Sequence, residues 1–324
     1  MRLEFRIPIS PTPQFYSTLR LAALSLRSLG SPYDSAQMLV SVGDYADLDM
    51  VRAANAWSED FPIEWRAVPH ELFREYSYTG TGVDRFLAPS EADVILLCDA
   101  DVCLVDRIDH LIDRVGQRGR RHMAGLQAHF TPFRGDAACD NPFRGNAAYN
   151  DAEWRRLFAN AGLPEPSLTT RYSGDVADVM GRAPPYFNYG LLAFNREAFS
   201  AVAPLSEYYG RMAWELMNGH VFSAQTGVSF LAAAAQLEIE SVSFAYNCSN
   251  DELPFIAPDE YRIDTSDDIR IIHYLRTDQF DRRNFLVNPS AYEAFLSAEN
   301  LNRVNTRLRD HILKLSRNDD LLFR

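Results

Sequence analysis

Lysine is almost missing from this chain: of 32 basic residues, all but Lys314 are arginine. We read that bias as the codon usage of a GC-rich bacterial genome and not as function. Cysteine is nearly as scarce. Cys98, Cys103, Cys139 and Cys248 are scattered and form no C-x-x-C pair, which argues against a zinc ribbon and against a disulfide framework. The expectation is reduced, buried thiols in a cytosolic protein. No window of about 18 apolar residues occurs, so no segment should span a bilayer. The opening stretch Arg2–Ile9 reads as a strand and lacks the uninterrupted apolar run of a signal peptide. At most, the C-terminal helix offers a weak peripheral contact with a membrane.

Positive charge is short as well. The 44 acidic residues give a net charge of −12 and an isoelectric point near 5.1. That disfavours a dedicated nucleic-acid binder, whose footprint is a basic face; a local arginine cluster can still receive a small anion. The remaining composition is that of a globular protein. A 47% hydrophobic and 12% aromatic content over 324 residues excludes disorder, collagen and coiled coil.

Along the chain the hydrophobic period switches between strand and helix. After the first strand and the turn-like Ser10-Pro11-Thr12-Pro13, Leu19, Ala22, Ala23, Leu26 and Leu29 recur at helical spacing, with Gly30 as a C-cap. Strands are predicted at 37–42, 63–68, 93–98 and 124–129, with a helix over 47–58. The 93–98 segment is apolar on both faces and is expected to be central and parallel. This alternation predicts a doubly wound α/β sheet. From Thr131 to Pro185 the chain becomes rich in Gly, Pro, Asn and Asp and carries the tetrapeptide PFRG twice. So long an excursion is usually a lid or a substrate-binding insertion. One helix is expected inside it, opened by a capping box of Asn150 and Glu153. Strands follow at 186–195, 239–246 and 269–274, with helices between. The tail from 290 to 316 should be helical, with Leu301, Val304, Leu308, Ile312 and Leu315 as its apolar stripe.

Asp99-Ala100-Asp101 directly follows the most apolar strand. Ligands of open α/β sheets sit at the carboxyl ends of strands. Two carboxylates so close together resist joint ionisation unless a cation separates them. A hard divalent ion shared with a diphosphate would do so.

Here the chain resembles the GT-A glycosyltransferases, most closely the glycogenin-like and bacterial galactosyltransferase-like family, glycosyltransferase family eight. Val94 to Val102 looks like that family's strand ending in D-x-D. Arg85 is placed like an arginine that contacts the nucleotide. Phe187-Asn188-Tyr189-Gly190 through Asn195 resembles the F-N-S-G segment lining the donor sugar. Tyr246-Asn247 looks like a [WY]-N pair, and Ile271-Ile272-His273-Tyr274 resembles the I-I-H-[FY] segment whose histidine completes the metal site. The resemblance implies a GT-A (Rossmann-like) mixed sheet with flanking helices, a long insertion and a C-terminal helical tail. Its boundaries would be a transferase domain over 1–285, with 131–185 on the acceptor side, and a helical extension over 286–324.

The resemblance also implies a chemistry. Asp99, Asp101 and His273 would hold Mn²⁺ or Mg²⁺, with Asp101 essential for turnover. Arg85, Asn188 and Gly190 would bind a UDP-sugar donor, and a hexose would pass with retention to an unknown hydroxyl acceptor; Asp44 is read separately, from its place at the end of the second strand, as an acceptor for the nucleobase or ribose of that donor. Two departures stand out. The family's Asp-Gln pair reads Ala224-Gln225 here, so Gln225 would support the oxocarbenium-like state without a carboxylate nucleophile. The phosphate-binding lysine after the histidine segment is missing, and Arg276, Arg282 or Arg283 would replace it, Arg276 being the nearest in sequence. An inverting transferase, with Asp175, Asp178, Asp251 or Glu252 as base, remains open. So does a non-catalytic binding protein on the same scaffold. A sugar nucleotidyltransferase would want a glycine-rich loop after the first strand, and 10–20 contains no glycine. Asp175 and Asp178 otherwise read as a solvated face, and Cys98 and Cys103 as small apolar packing groups.

Overall fold

A computed structural model describes residues 1–76, 78–117, 119–133 and 147–323. Cys139 and the second PFRG copy lie outside the described residues. The elements in chain order are β1 (Leu3–Ile9), α1 (Pro13–Ser28), β2 (Gln37–Val42), α2 (Leu48–Ala54), β3 (Ile63–Ala67), α3 (His70–Tyr76), α4 (Tyr78–Leu87) and β4 (Val94–Cys98). Then come β5 (Val102–Leu104), α5 (Asp109–Val115), β6 (His122–Gln127), α6 (Ala147–Asn160), β7 (Thr170–Arg171), β8 (Arg182–Ala183), β9 (Phe187–Asn195), α7 (Arg196–Val202) and α8 (Ser206–Leu216). The chain closes with α9 (Ser223–Ala234), β10 (Glu238–Ser241), β11 (Cys248–Ser249), α10 (Leu253–Ile256), β12 (Ile271–His273), α11 (Pro289–Ser297) and α12 (Arg303–Leu315).

Seven strands form the main sheet in the order β10-β6-β9-β4-β1-β2-β3. β4 is central and wholly buried, as its unbroken apolar run predicts. It is parallel to β1 on one side but antiparallel to β9 on the other. The sheet is therefore mixed, and the expectation of an all-parallel setting for β4 is corrected. An antiparallel neighbour buried on both faces carries the same apolar signature as a parallel one. A second sheet, β11-β12-β5, leaves the first at the end of β4.

Local signals account for most boundaries. Thr12 caps α1 with Pro13 at its first position, Asp47 caps α2, and Asn195, Asn288 and Asn302 cap α7, α11 and α12. Gly30 takes the left-handed conformation just past α1 (φ +67°), as a C-terminal stop requires. Elsewhere the pattern misleads. The helix expected over 47–58 splits into α2 and a short 3₁₀ turn at Ala56–Asp60, and the strand expected over 239–246 ends at Ser241. Asn150 does not cap α6. It lies buried inside the helix, where its Oδ1 accepts from Tyr172 and Thr131 and its Nδ2 donates to the Arg182 carbonyl. The tail is two helices, not one. Val304, Leu308, Ile312 and Leu315 of α12 join the same buried cluster as β1 and α1, so its apolar stripe faces the core and not a membrane surface. Among the described residues no helix is long and apolar enough to cross a membrane.

One buried cation ties the sheet to the helix before β4. Arg6 on β1 is fully enclosed: its Nε donates to Glu4 at 2.5 Å, and its Nη atoms donate to the carbonyls of Arg85 (2.6 Å), Ala88 (2.8 Å) and Pro89 (3.1 Å). Its guanidinium also lies 4.3 Å from the Phe199 ring centroid. Burial pulls the guanidinium below its ordinary value, and the charge of Glu4 opposes that pull. Arg6→Met should cost about 3–5 kcal/mol, because it strands Glu4 and three carbonyls. Urea denaturation should show this as a lower midpoint at unchanged slope; a loss under about 1 kcal/mol would mean that the network is ornamental.

Candidate active site

The site is built by a tight turn between two strands. β4 ends at Cys98, Asp99-Ala100-Asp101 turns, and β5 begins at Val102. β5 runs antiparallel to β12 with Val102 opposite His273, and the Tyr274 amide donates to the Asp101 carbonyl at 3.1 Å. That register delivers the imidazole to the carboxylates. Ligand atoms of Asp99, Asp101 and His273 all lie within 4.8 Å of one another. On the other flank Cys98 pairs with Leu191, so the next residues along the two chains are Asp99 and Gly190. Gly190 owes its identity to this crowding. A Cβ there would collide with the His273 ring and with Asn247 Oδ1.

A relay of side chains sets which histidine nitrogen faces the carboxylates. Asn188 Oδ1 accepts from the Gly190 amide (2.8 Å) and from Asn247 Nδ2 (3.1 Å). Asn247 must therefore turn its own Oδ1 toward His273 Nδ1, which lies 3.0 Å away and donates. Nδ1 thus carries a proton, and Nε2 is the nitrogen left to take a second proton or a metal ion. Nε2 is buried, sits 3.2 Å from Asp101 and 3.7 Å from Asp99, and makes no well-formed hydrogen bond. An orphaned imidazole nitrogen between two carboxylates is the donor set of a divalent metal ion, and a second group fixing the other ring nitrogen is its usual companion. The residues fit such an ion.

The two carboxylates are driven apart electrostatically. Burial pushes Asp99 above the usual carboxylate range, against the pull of Arg85 and His273. Burial acts on Asp101 too, but His273 and Arg282 outweigh it and hold that carboxyl below its ordinary value. Arg85 reaches the site from α4. Its Nη1 donates to the Cys98 carbonyl at 3.1 Å and lies 3.8 Å from Asp99, and its guanidinium sits 4.7 Å from the Tyr189 ring centroid. The neighbouring residue, Asp84, clamps the same helix to the sheet through Ser41 (2.7 Å) and Arg66 (3.1 Å). Arg282 makes the shortest ion pair of the site, 2.5 Å from its Nη1 to Asp101. A cavity of about 760 Å³ opens beside the carboxylates, lined by Ile9, Ser10, Phe15, Asp99, Asp101 and Arg282. Thr12 and Gln14, at the start of α1, line it as well.

The other expected residues have these positions. Asp44 is exposed at the carboxyl end of β2, in a left-handed conformation (φ +52°). Gln225 lies half-buried in the first turn of α9, which holds no acidic residue; that turn is tied to Arg85 through Tyr189, whose hydroxyl donates to the Ala224 carbonyl at 2.7 Å. Arg276 is engaged elsewhere, its Nε 2.8 Å from Asp251. Asp175 is no solvated face. It is buried and accepts from the amides of Val179 and Met180, closing a loop. Asp178 is exposed and pairs with Arg182 at 2.9 Å, and Glu252 pairs with Arg303 at 2.6 Å. Cys98, Cys103 and Cys248 are free and buried, and burial pushes their thiols up, Cys103 to about 12.

Sequence reasoning did not single out Tyr189 as the ring beneath Arg85, or Arg6 as the anchor of the segment after Arg85. It also missed His129, which packs 5.2 Å from Phe244 and bonds Ser173 at 2.9 Å through Nδ1. Burial lowers that imidazole to about 4. Each was hidden because aromatic and basic residues carry no periodic signal of their partner.

No protein-family model matches the sequence, and no curated protein matches it. Solved structures do. The galactosyltransferase LgtC, crystallised with donor and acceptor sugar analogs, is similar over 90% of this chain and 92% of its own, at 15% identity and a TM-score of 0.54. The glycosyltransferase GlyE of Streptococcus pneumoniae is similar over 100% of this chain, which spans 62% of that protein, at 11% identity and a TM-score of 0.50. At such identities the likeness concerns the fold: the chain has the mixed-sheet GT-A architecture of these glycosyltransferases.

Proposed function

We propose that the protein is a metal-dependent glycosyltransferase that moves a hexose from a UDP-linked donor to an acceptor hydroxyl with retention. The observation that supports this best is the orphaned His273 Nε2 between Asp99 and Asp101, at the mouth of a 760 Å³ cavity on a glycosyltransferase fold. Mn²⁺ or Mg²⁺ held by Asp99, Asp101 and His273 would supply charge neutralisation to the departing diphosphate. The chain's own groups do the rest in this reading. The Asn188–Asn247 relay keeps His273 Nε2 available. Arg85 offsets the charge of Asp99, and Asp44 is assigned to the nucleoside. Asn188 and Gly190 form the wall beside the donor sugar.

With alanine at position 224, Gln225 is left to stabilise the developing oxocarbenium-like charge. The acceptor hydroxyl then gives its proton to a phosphate oxygen on the same face of the sugar. The carboxylates that an inverting mechanism would call on are occupied: Asp175 by amides, Asp178, Asp251 and Glu252 by arginines. Residues 131–185 are assigned to the acceptor side, 1–285 to the transferase domain and 286–324 to an extension packed on it. The setting we assign is the bacterial cytosol, where buried thiols stay reduced.

Incubation with Mn²⁺ and a panel of nucleotide sugars should release UDP. Asp101→Asn should cut that release by about 100-fold or more while the melting temperature holds, because charge is lost and shape is kept. Unchanged release would remove the D-x-D from the reaction; no release by the wild type from any donor would favour a binding protein. The product of an α-linked donor should carry an α linkage, read from the anomeric coupling constant, and a β linkage would transfer the assignment to an inverting enzyme. Gly190→Ala should displace His273, costing about 1–3 kcal/mol of stability and weakening Mn²⁺ binding in calorimetry. Wild-type Mn²⁺ affinity in that variant would show that the imidazole is not a ligand.

A further inference from the structure

Packing explains several glycines around the site, but not Gly82. A Cβ on Gly190 would strike the His273 ring, one on Gly80 would lie 2.8 Å from the Leu72 carbonyl oxygen, and one on Gly210 would lie 2.9 Å from Val83. Gly82 meets no such obstacle. It lies inside α4, where glycine is less stable than alanine. A Cβ there would make only ordinary contacts among the described residues: 3.7 Å to the Tyr189 ring, 3.9 Å to the Ala224 Cβ and 3.9 Å to Arg85 Nη2. A helical glycine without a packing role is what a backbone carries where it leaves room for a ligand.

The space beside Gly82 has a distinct chemistry. Gly82 lines a crevice of about 20 Å³, with Val83, Phe86, Tyr189, Ala224 and Leu231 among its other walls. That is room for one methyl-sized group, and walls so apolar keep water out. Arg85 edges the same space. It is fully buried, and among the described residues only its Nη1 is hydrogen-bonded, to the Cys98 carbonyl. The Tyr189 hydroxyl donates to the Ala224 carbonyl, and the first turn of α9 holds no acidic residue. The wall therefore offers a cationic donor and apolar contact, with no carboxylate to receive a hydroxyl proton. A sugar hydroxyl would leave its hydrogen unpaired here, and a sugar carboxylate would be desolvated against Val83, Phe86 and Leu231. An acetamido group meets both conditions, since its carbonyl oxygen is an acceptor and its methyl is apolar.

We propose that the wall formed by Gly82, Tyr189 and Ala224 is a subsite for an acetamido substituent of the donor sugar, so that the donor is a UDP-N-acetylhexosamine. The acetamido carbonyl accepts from Arg85, and its methyl enters the crevice over Gly82. The proposal rests on the glycosyltransferase reading above and narrows its hexose to one that carries an N-acetyl group.

Calorimetry in the presence of Mn²⁺ tests this without an acceptor. The full chain should bind UDP-N-acetylglucosamine or UDP-N-acetylgalactosamine about tenfold more tightly than UDP-glucose, UDP-galactose or UDP-glucuronate, the scale of one added hydrogen bond and a buried methyl. Gly82→Ala should melt at or above the wild-type temperature and keep its affinity for UDP, yet lose that preference, because the new methyl takes the space of the acetamido group. A glycine needed only for packing would do the reverse, lowering the melting temperature and leaving the ranking of donors unchanged. Ala224→Asp, which adds an acceptor for a hydroxyl and engages Arg85, should shift the ranking toward the neutral hexoses. A wild type that ranks a neutral hexose or the glucuronate first overturns the acetamido assignment and leaves the glycosyltransferase reading in place. An unchanged ranking in both variants does the same. If UDP itself does not bind, the glycosyltransferase reading falls and takes this proposal with it.

Discussion

Asp99 and Asp101 are held on one turn at the end of a completely buried strand, and the mutual repulsion of their charges shapes everything around them. Neither residue can move away from the other, because β4 fixes the turn from below and β5 from beyond. Compensation must come from the surroundings. It arrives as Arg85 from α4, His273 from β12 and Arg282 from the segment after β12. Each of these depends in turn on a separate piece of the fold. α4 is held to the sheet by Asp84 and by the carbonyls that Arg6 gathers. β12 is held by pairing with β5 and β11. The 280–285 segment is held by a cluster of phenylalanines. A strongly acidic chain thus concentrates buried arginine where two carboxylates converge.

Orientation is settled as tightly as charge. A single amide oxygen, Asn188 Oδ1, accepts from the Gly190 backbone and from Asn247, and this forces the flip of Asn247 and hence the tautomer of His273. The glycine is part of the same device, since the ring needs the space that a side chain would fill. Such a chain of fixed partners leaves Nε2 aimed between the carboxylates, with the ring already oriented for a cation. The Tyr189 ring extends the arrangement to the start of α9, so that Gln225 and Arg85 are referenced to the same tyrosine.

Much of the scaffold was legible in the sequence because it rests on local chemistry. The both-faces-apolar β4, the turn-like stretch before α1 and the Gly30 stop are read from neighbouring residues alone. What resisted reading depends on distant partners. Asn150 has the type and spacing of a cap, yet it is buried in a helix because Tyr172 and Thr131 supply its hydrogen bonds. Asp175 has the composition of a solvated loop, but two amides five residues or fewer away turn it inward. The tail expected to be helical over 290–316 breaks between α11 and α12, at 298–302, while the stripe from Leu301 to Leu315 falls on and just before α12.

The sequence by itself determined that two carboxylates end a buried strand, that a histidine ends another, and that arginine must supply nearly all positive charge. Those are statements about residue type and period. Only the tertiary structure decided that β9 runs antiparallel to β4 and brings Gly190 beside Asp99, that β12 pairs with β5 in the register that delivers His273, and that Arg282 rather than Arg276 meets Asp101. The physical reason is that periodicity reports which face of an element is buried, whereas the partner of a charged group is chosen by strand register and packing between segments remote in the chain.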